Sequence, residues 1–238
     1  MGKVIMSGVV PQLTKPSALA DTLNEDFANN DWATISKACQ MNVVPDTWVV
    51  GDQKSMTING TDYLVDIIGK DHDDYADGSG KAPLTFQLHD CYDTRYQMNE
   101  LNTNEGGWTN CAMRNMHLPA ILALLPSEVQ AKIKEVNKLT SAGNQSNAIS
   151  TTADKLFLLS EIEISGSVKY SKSGEGSQYA YYSAGNSKIK NRSGGAYDWW
   201  ERSPRGDLST SFCSVNAAGG TAYGTANYAY GVAFAFCF

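Results

Sequence analysis

The chain has 238 residues, of which 42% are hydrophobic and 18% charged, with a net charge of −6 and a pI near 5.0. That is enough chain to bury one sizeable core, and its acidity argues against nucleic acid as a partner, because phosphate binding needs clustered Lys and Arg. No run of about 18 apolar residues is present to insert into a bilayer, and residues 1–16 lack the apolar core and small-residue cleavage site of a secretory signal.

The first periodic segment, "PSALADTLNEDFANNDWATISKACQ", spaces Leu19, Leu23 and Phe27 by four, then Trp32, Ile35 and Cys39 by three and four. This is the helical period, with Ser17 and Asp31 as N-cap candidates and a break near Asn29 and Asn30. Residues 1–45 are therefore expected to form a short helical arm for attachment or oligomerisation. After Pro45 the runs "TWVVG", "KSMTIN" and "DYLVDIIG" have strand character, and Asn59-Gly60 predicts a two-residue hairpin turn.

The polar stretch "KDHDDYADGSGK" supplies Asp71, Asp73, Asp74 and Asp77 as oxygen ligands. Tyr75 at the fifth position and Gly78 at the eighth depart from an EF-hand loop, so the stretch is read as a solvated acidic loop without metal. No cofactor is expected. "PLTFQLHDC" reads as a strand. "PAILALLPSEVQAKIKEVNKL" reads as a helix with a Ser127/Gln130 capping box and a buried stripe of Val129, Ile133 and Val136. "SAGNQSNAISTT" reads as a loop, and "KLFLLSEIEI" as a strand.

From Gly166 onward the chain is rich in Gly, Ser and Tyr, and eight of its 12 tyrosines lie at or after Tyr170, which favours ordered loops over disorder. In "YDWWERSP", adjacent Trp199 and Trp200 point to opposite faces of a strand, one into the core and the other over an edge or loop. Arg202 is placed to stack on an indole while bonding loop carbonyls. Arg205, Gly206 and Asp207 form an exposed turn. The closing run alternates Val232, Phe234, Phe236 and Phe238 with small residues, the period of a strand covered on both sides.

The five cysteines are widely spaced and odd in number, so buried free thiols are expected, with Cys213 and Cys237 as possible strand neighbours. None of His72, His89 and His117 lies in a nucleophile motif. No catalytic residue is singled out, and the chain is not read as an enzyme. The whole predicts an α+β single domain with a mostly antiparallel sheet.

W-W-x-R-S-P, then F-C-x-V-x-x-x-G and a terminal G-V-x-x-x-F-C, carry a resemblance. So do "TINGTDYLVDIIGKDHDD", "NTNEGGW", "MRN", "LLPSEVQAKIKEVNK", "DKLFLLSEIEI" and "GEGSQYAYY". From about Trp48 to Phe238 the chain is similar to an uncharacterised domain family of gut Firmicutes and their prophages, often found within phage structural genes. The end of that family resembles the C-type-lectin-like fold, shared by the variable proteins of diversity-generating retroelements and by formylglycine-generating enzymes.

The resemblance implies a lectin-like domain over residues 46–238 in a virion protein of a phage tail tip or fibre. Its partners would be a bacterial surface glycan or protein and other virion proteins, with homo-oligomerisation. A capsid-decorating protein and an enzyme of the formylglycine-generating type are the alternatives. The charge-free segment from Leu208 onward has the layout of variable loops between fixed strands. Its candidate ligand-binding residues are Asn216, Thr221, Tyr223, Asn227, Tyr228 and Tyr230, with Ser214 at its edge, and Arg205 and Asp207 precede it. Tyr with Ser, Gly and Asn is also the composition that binding loops use on physical grounds.

Overall fold

The computed structural model describes residues 16–238. Its elements are mixed helix and strand, with antiparallel sheets and no barrel. The helices are α1 (Pro16–Ala20), α2 (Trp32–Gln40), α3 (Gly107–Asn110), α4 (Leu118–Leu122), α5 (Ser127–Gln130), α6 (Glu161–Ser165) and α7 (Ala180–Ser183). A single π-helical turn, Met113–His117, precedes α4. The strands are β1 (Gln53–Ile58), β2 (Thr61–Gly69), β3 (Thr85–Leu88), β4 (Val136–Ser141), β5 (Ile149–Asp154), β6 (Lys190–Arg192), β7 (Gly195–Tyr197), β8 (Trp199–Pro204), β9 (Ser211–Val215), β10 (Thr221–Thr225) and β11 (Ala235–Cys237).

The larger sheet has the order β1-β2-β3-β11, so the last strand returns to the middle of the chain. Phe236 lies opposite Phe86 and Ala235 opposite Gln87. The other edge of this segment is also used, because Ala235 exchanges backbone bonds with Phe157, and Lys134 donates to the Cys237 carbonyl. Every residue from Val232 to Phe238 is buried, as their alternation of large and small residues predicts. The β1–β2 hairpin turns on Asn59 and Gly60, whose φ values of +47° and +83° are those a type I′ turn requires.

A second sheet, β10-β9-β8, carries the Gly- and Tyr-rich end of the chain. Its edge strand β8 meets the segment leading into β11 where Trp200 N donates to the Gly231 carbonyl at 3.0 Å. At Gly231 a Cβ would lie 2.5 Å from Cys91 Sγ, so only glycine allows this approach.

Several elements differ from those the sequence predicts. "TWVVG" forms turns, with Trp48 fully buried. The single helix expected over residues 119–139 is instead two short ones, α4 and α5, the second preceded by Pro126 without a side-chain cap and ending at Gln130. Gln130 instead donates to the carbonyls of Ala123 and Leu125. The chain then becomes β4, pairing with β5, where the sequence predicts mostly loop. In this hairpin Val136, Lys138 and Thr140 point inward while Leu139 and Ile149 are exposed. The expected strand "KLFLLSEIEI" contains α6, held by a capping box in which Ser160 accepts from Glu163 N and Glu163 accepts from Ser160 N.

The N-terminal helical segment breaks as expected, with a 3₁₀ turn at Phe27–Asn29 and α2 capped by Asp31. The proposed Ser17 cap lies outside the described side chains. From Phe27 onward this segment is part of the main core, with Phe27 stacked on Phe86 at 6.0 Å and Trp32 edge-on to Phe86 at 5.6 Å. Trp32 Nε1 also donates to the Ser55 carbonyl at 3.0 Å. Replacing a buried aromatic of this size by Ala costs about 3–5 kcal/mol. Trp32→Ala is therefore expected to lower the denaturation midpoint of the whole domain in a single transition. An unchanged midpoint would show that α2 is dispensable to the core.

Candidate functional site

Five of the candidate residues meet on one face. Strand β10 directs Tyr223 outward, and the turn after it presents Tyr228; these rings are 42% and 54% exposed. Tyr230 lies between Tyr228 and the core, 5.2 Å from the Tyr228 ring and 4.4 Å from Trp200. The close approach is possible because Gly224 has no side chain; a Cβ there would sit 2.5 Å from Tyr230 and 2.8 Å from Trp200. Leu208, Thr210, Tyr223, Thr225, Tyr228 and Tyr230 surround a cleft of about 340 Å³.

Arg205 closes one side of this face. Its guanidinium lies 3.6 Å from the Tyr223 ring centroid, a cation–π contact, and it bonds Asp207 through Nε at 2.6 Å and Nη2 at 3.2 Å. That pair lowers the Asp207 pKa and raises that of Arg205. Because Asp207 is fully exposed, the bond sets a direction for the two side chains and adds little stability. Tyr170 completes the group, edge-on to Tyr223 at 5.0 Å.

Buried polar residues hold these loops from below. The Glu161 carboxylate accepts from the backbone N–H groups of Lys169, Tyr170 and Ser171 and from the Ser171 hydroxyl. Asn104 Nδ2 reaches the carbonyls of Leu208 at 2.9 Å and Ser211 at 2.7 Å, fixing the turn that contains Arg205 and Asp207. Trp200 Nε1 donates to the Tyr96 carbonyl at 2.8 Å. Each bond satisfies a group that burial would otherwise leave unpaired, and together they set the loop geometry before any ligand arrives.

The other predicted residues divide. Asn227 is exposed on the turn before Tyr228. Thr221 is half-buried at the start of β10. Asn216 turns inward, its Oδ1 accepting from Ala218 N and Gly220 N, so it builds the β9–β10 turn. Ser214 is fully buried on β9. Tyr170, Asn104 and Glu161 were not among the sequence candidates. They lie 35 to 101 residues from Arg205, and no local pattern marks their convergence.

Beneath β8 lies a network of buried charges. Arg202 is fully buried and forks Glu163, with Nη1 to Oε2 at 2.5 Å and Nη2 to Oε1 at 2.8 Å. It also bonds the carbonyls of Leu139, Leu158 and Glu175, the bonding half of its expected role, while its guanidinium meets Glu163 in place of the expected indole. Trp199 and Trp200 are both buried, so neither remains as a surface cover.

The acidic loop differs from its expected solvated state at Asp73, which is 4% exposed. Lys138 reaches it from β4 at 2.7 Å. Burial would raise the Asp73 pKa, but the Lys138 charge and hydrogen bond and the Thr85 hydroxyl hold it at about 2. The neighbouring Asp74 and Asp77 remain at the surface, Asp74 paired with Lys81 and Asp77 accepting from Ser79 N.

All five cysteines are free and buried. Burial raises the thiols of Cys39, Cys91 and Cys111 to about 12 and holds those of Cys213 and Cys237 well above the ordinary value, so none is poised as a thiolate nucleophile. Cys213 and Cys237 occupy different sheets. His89 bonds the buried Asp66 at 2.9 Å, which raises the imidazole pKa and orients the ring.

Residues 83–238 match the family described as a domain of unknown function, DUF6273. The match covers more than half of the chain, and the chain belongs to that family. No curated protein and no solved structure shows significant similarity to it. No helix among the described residues is long and apolar enough to cross a membrane.

Glu201 allows a test of the buried acids. Burial, then the nearby Glu161 and Glu175 charges, raise its pKa well above 4.5, and its Oε2 has no hydrogen-bond partner. The unfolded chain releases this proton near the ordinary value while the folded chain retains it, so stability falls as pH rises above that value. Glu201→Gln removes this loss. The melting-temperature gain of Glu201→Gln over wild type is expected to be larger at about pH 8 than at about pH 4. A gain that does not change with pH would show that Glu201 is ionised in the fold.

Proposed function

We propose that this chain is a non-enzymatic virion protein of a phage tail tip or fibre, and that it binds a bacterial surface glycan or protein. The domain is read as C-type-lectin-like, with Tyr223, Tyr228, Tyr230, Arg205 and Asp207 as its binding face and Asn227 at the margin. The observation that carries the reading is the exposure of two tyrosines on a sheet whose loops are held from below by Glu161, Asn104 and Trp200. Large rings exposed without reorganisation offer contact area at low entropic loss, and a few such anchors usually supply most of an interface's energy.

Support for the lectin-like reading comes from the topology. The last strand returns to pair with β3 in the larger sheet, and a smaller three-stranded sheet carries the exposed face. Thiols held in their protonated form speak against the formylglycine-generating alternative, whose chemistry depends on reactive cysteine.

The double variant Tyr223→Ala, Tyr228→Ala tests the face. Exposed substitutions alter stability by about 0.5 kcal/mol or less, whereas loss of two aromatic anchors weakens binding by about tenfold or more. Fluorescent wild-type and variant proteins are compared by pull-down on a panel of gut Firmicute cells, with melting curves measured in parallel. The expected outcome is a sharp fall in cell binding with a nearly unchanged melt. Equal binding by the two proteins would remove this face from the site, and absence of wild-type binding across the panel would favour a capsid-decorating role.

A further inference from the structure

The ammonium of Lys138 meets two carboxylates at once. Nζ lies 2.7 Å from Asp73 Oδ1 and 2.8 Å from Glu163 Oε1, and all three side chains are only 2% exposed. Tyr179 Oη stands 3.1 Å from the same nitrogen, and the Phe157 ring lies over it at 4.4 Å. Ligand atoms of His72, Asp73 and Glu163 come within 4.8 Å of one another, the geometry of a metal site. Lys138 bonds both of these carboxylates and Arg202 pairs with Glu163, so two charges of the chain itself already neutralise them. Two acids and an amine in contact, shielded from water by aromatic rings, can instead react with each other.

We infer that Lys138 and Asp73 are joined by a self-formed isopeptide bond, with Glu163 as the proton carrier. The reaction needs a neutral amine and a carboxylic acid, and a single proton shift along the 2.7 Å contact converts the ion pair into that pair. The ion pair is the resting state, and burial of all three side chains lowers the cost of reaching the neutral pair, since separated charge is poorly solvated there. The Asp73 carboxyl is polarised for attack by two hydroxyl donors, Tyr179 Oη at 2.9 Å from each oxygen and Thr85 Oγ1 at 2.5 Å from Oδ2. These donors also stabilise the oxyanion formed on attack.

The step balances without an external reagent. One ammonium proton passes to the Asp73 carboxylate. The Nζ lone pair then attacks Asp73 Cγ, Glu163 accepts a second proton from nitrogen, and the third hydrogen remains on the amide. Glu163 returns its proton to the departing hydroxyl, which leaves as water. Arg202 fixes Glu163 for this role through two bonds. The product ties the loop after β2 to β4, across 65 positions of sequence, and it requires no ligand or partner.

The intact mass of the full chain, measured after denaturation, tests the bond. The wild type is expected to be lighter than its sequence by one water, and a digest to yield a branched peptide joining Asp73 to Lys138. Lys138→Arg keeps the charge but cannot condense, so it should keep its full sequence mass. Asp73→Asn should reach the same final mass as the wild type, because the side-chain amide condenses with loss of ammonia instead of water. If either variant does not fold, mapping of the wild-type digest decides alone. A wild type that keeps its full sequence mass after prolonged incubation in the folded state overturns the proposal, as does a loss of water that maps elsewhere.

Discussion

The forked ion pair between Arg202 and Glu163 is the constraint on which the rest of the structure depends. Arg202 is on β8, Glu163 on α6, and the carbonyls that complete the guanidinium's bonding come from β4, the segment before α6 and the loop at Glu175. Lys138 extends the network to Asp73, giving two cations and two carboxylates with no net charge before the proposed bond forms, and that bond removes one of each. Taking these charges out of water is costly unless every one is paired and bonded. Here each is, and the planar fork of Arg uses donors that a Lys could not place. Breaking one partner would strand the others, so these elements must assemble together.

This arrangement separates a rigid interior from an adaptable surface. The same β8 strand that buries Arg202 also buries Trp200, on which Tyr230 rests. Glu161 is adjacent in α6 to the residues of the charge network and holds the Tyr170 loop. The aromatic face is thus one layer removed from the ion pairs, and its rings can be exchanged without disturbing them. Substitution on such a face is expected to leave the fold nearly intact.

Three further acids, Glu161, Glu175 and Glu201, lie on the same side of β8 as its buried serine. Glu161 is satisfied by four donors, whereas Glu175 accepts from Ser141 N and the Ser203 hydroxyl and is raised by burial. Glu201 is the least satisfied of them. Burial raises the Glu175 and Glu201 pKa values, with nearby acidic charges adding to the shift at Glu201, so the fold holds these two protons more tightly than an unfolded chain does.

Much of the fold was legible in local pattern. The Asn59-Gly60 turn, the Asp31 cap and the buried closing strand depend on backbone preferences and on a period of two, and these act over a few residues. The tyrosine face was legible in part, because a charge-free run rich in Tyr and Gly is unusual at any surface. The Ser160-x-x-Glu163 box was also present in the sequence and was masked by the apolar run before it.

What tertiary structure alone decided is the β4–β5 hairpin and everything the buried charges organise. Val136, Lys138 and Thr140 face inward while Leu139 faces out, which inverts the rule that apolar residues are buried. Lys138 is inside because Asp73 and Glu163, distant in sequence, neutralise it there. Asp73 looks like one of several loop aspartates until Lys138 reaches it, and Asn216 looks like a ligand-binding residue until its side chain is seen to close its own turn. Local sequence determined where the backbone could bend and which strand would be covered. Charge pairing across the chain determined which polar residues could be buried, because only a complete set of partners offsets the loss of water.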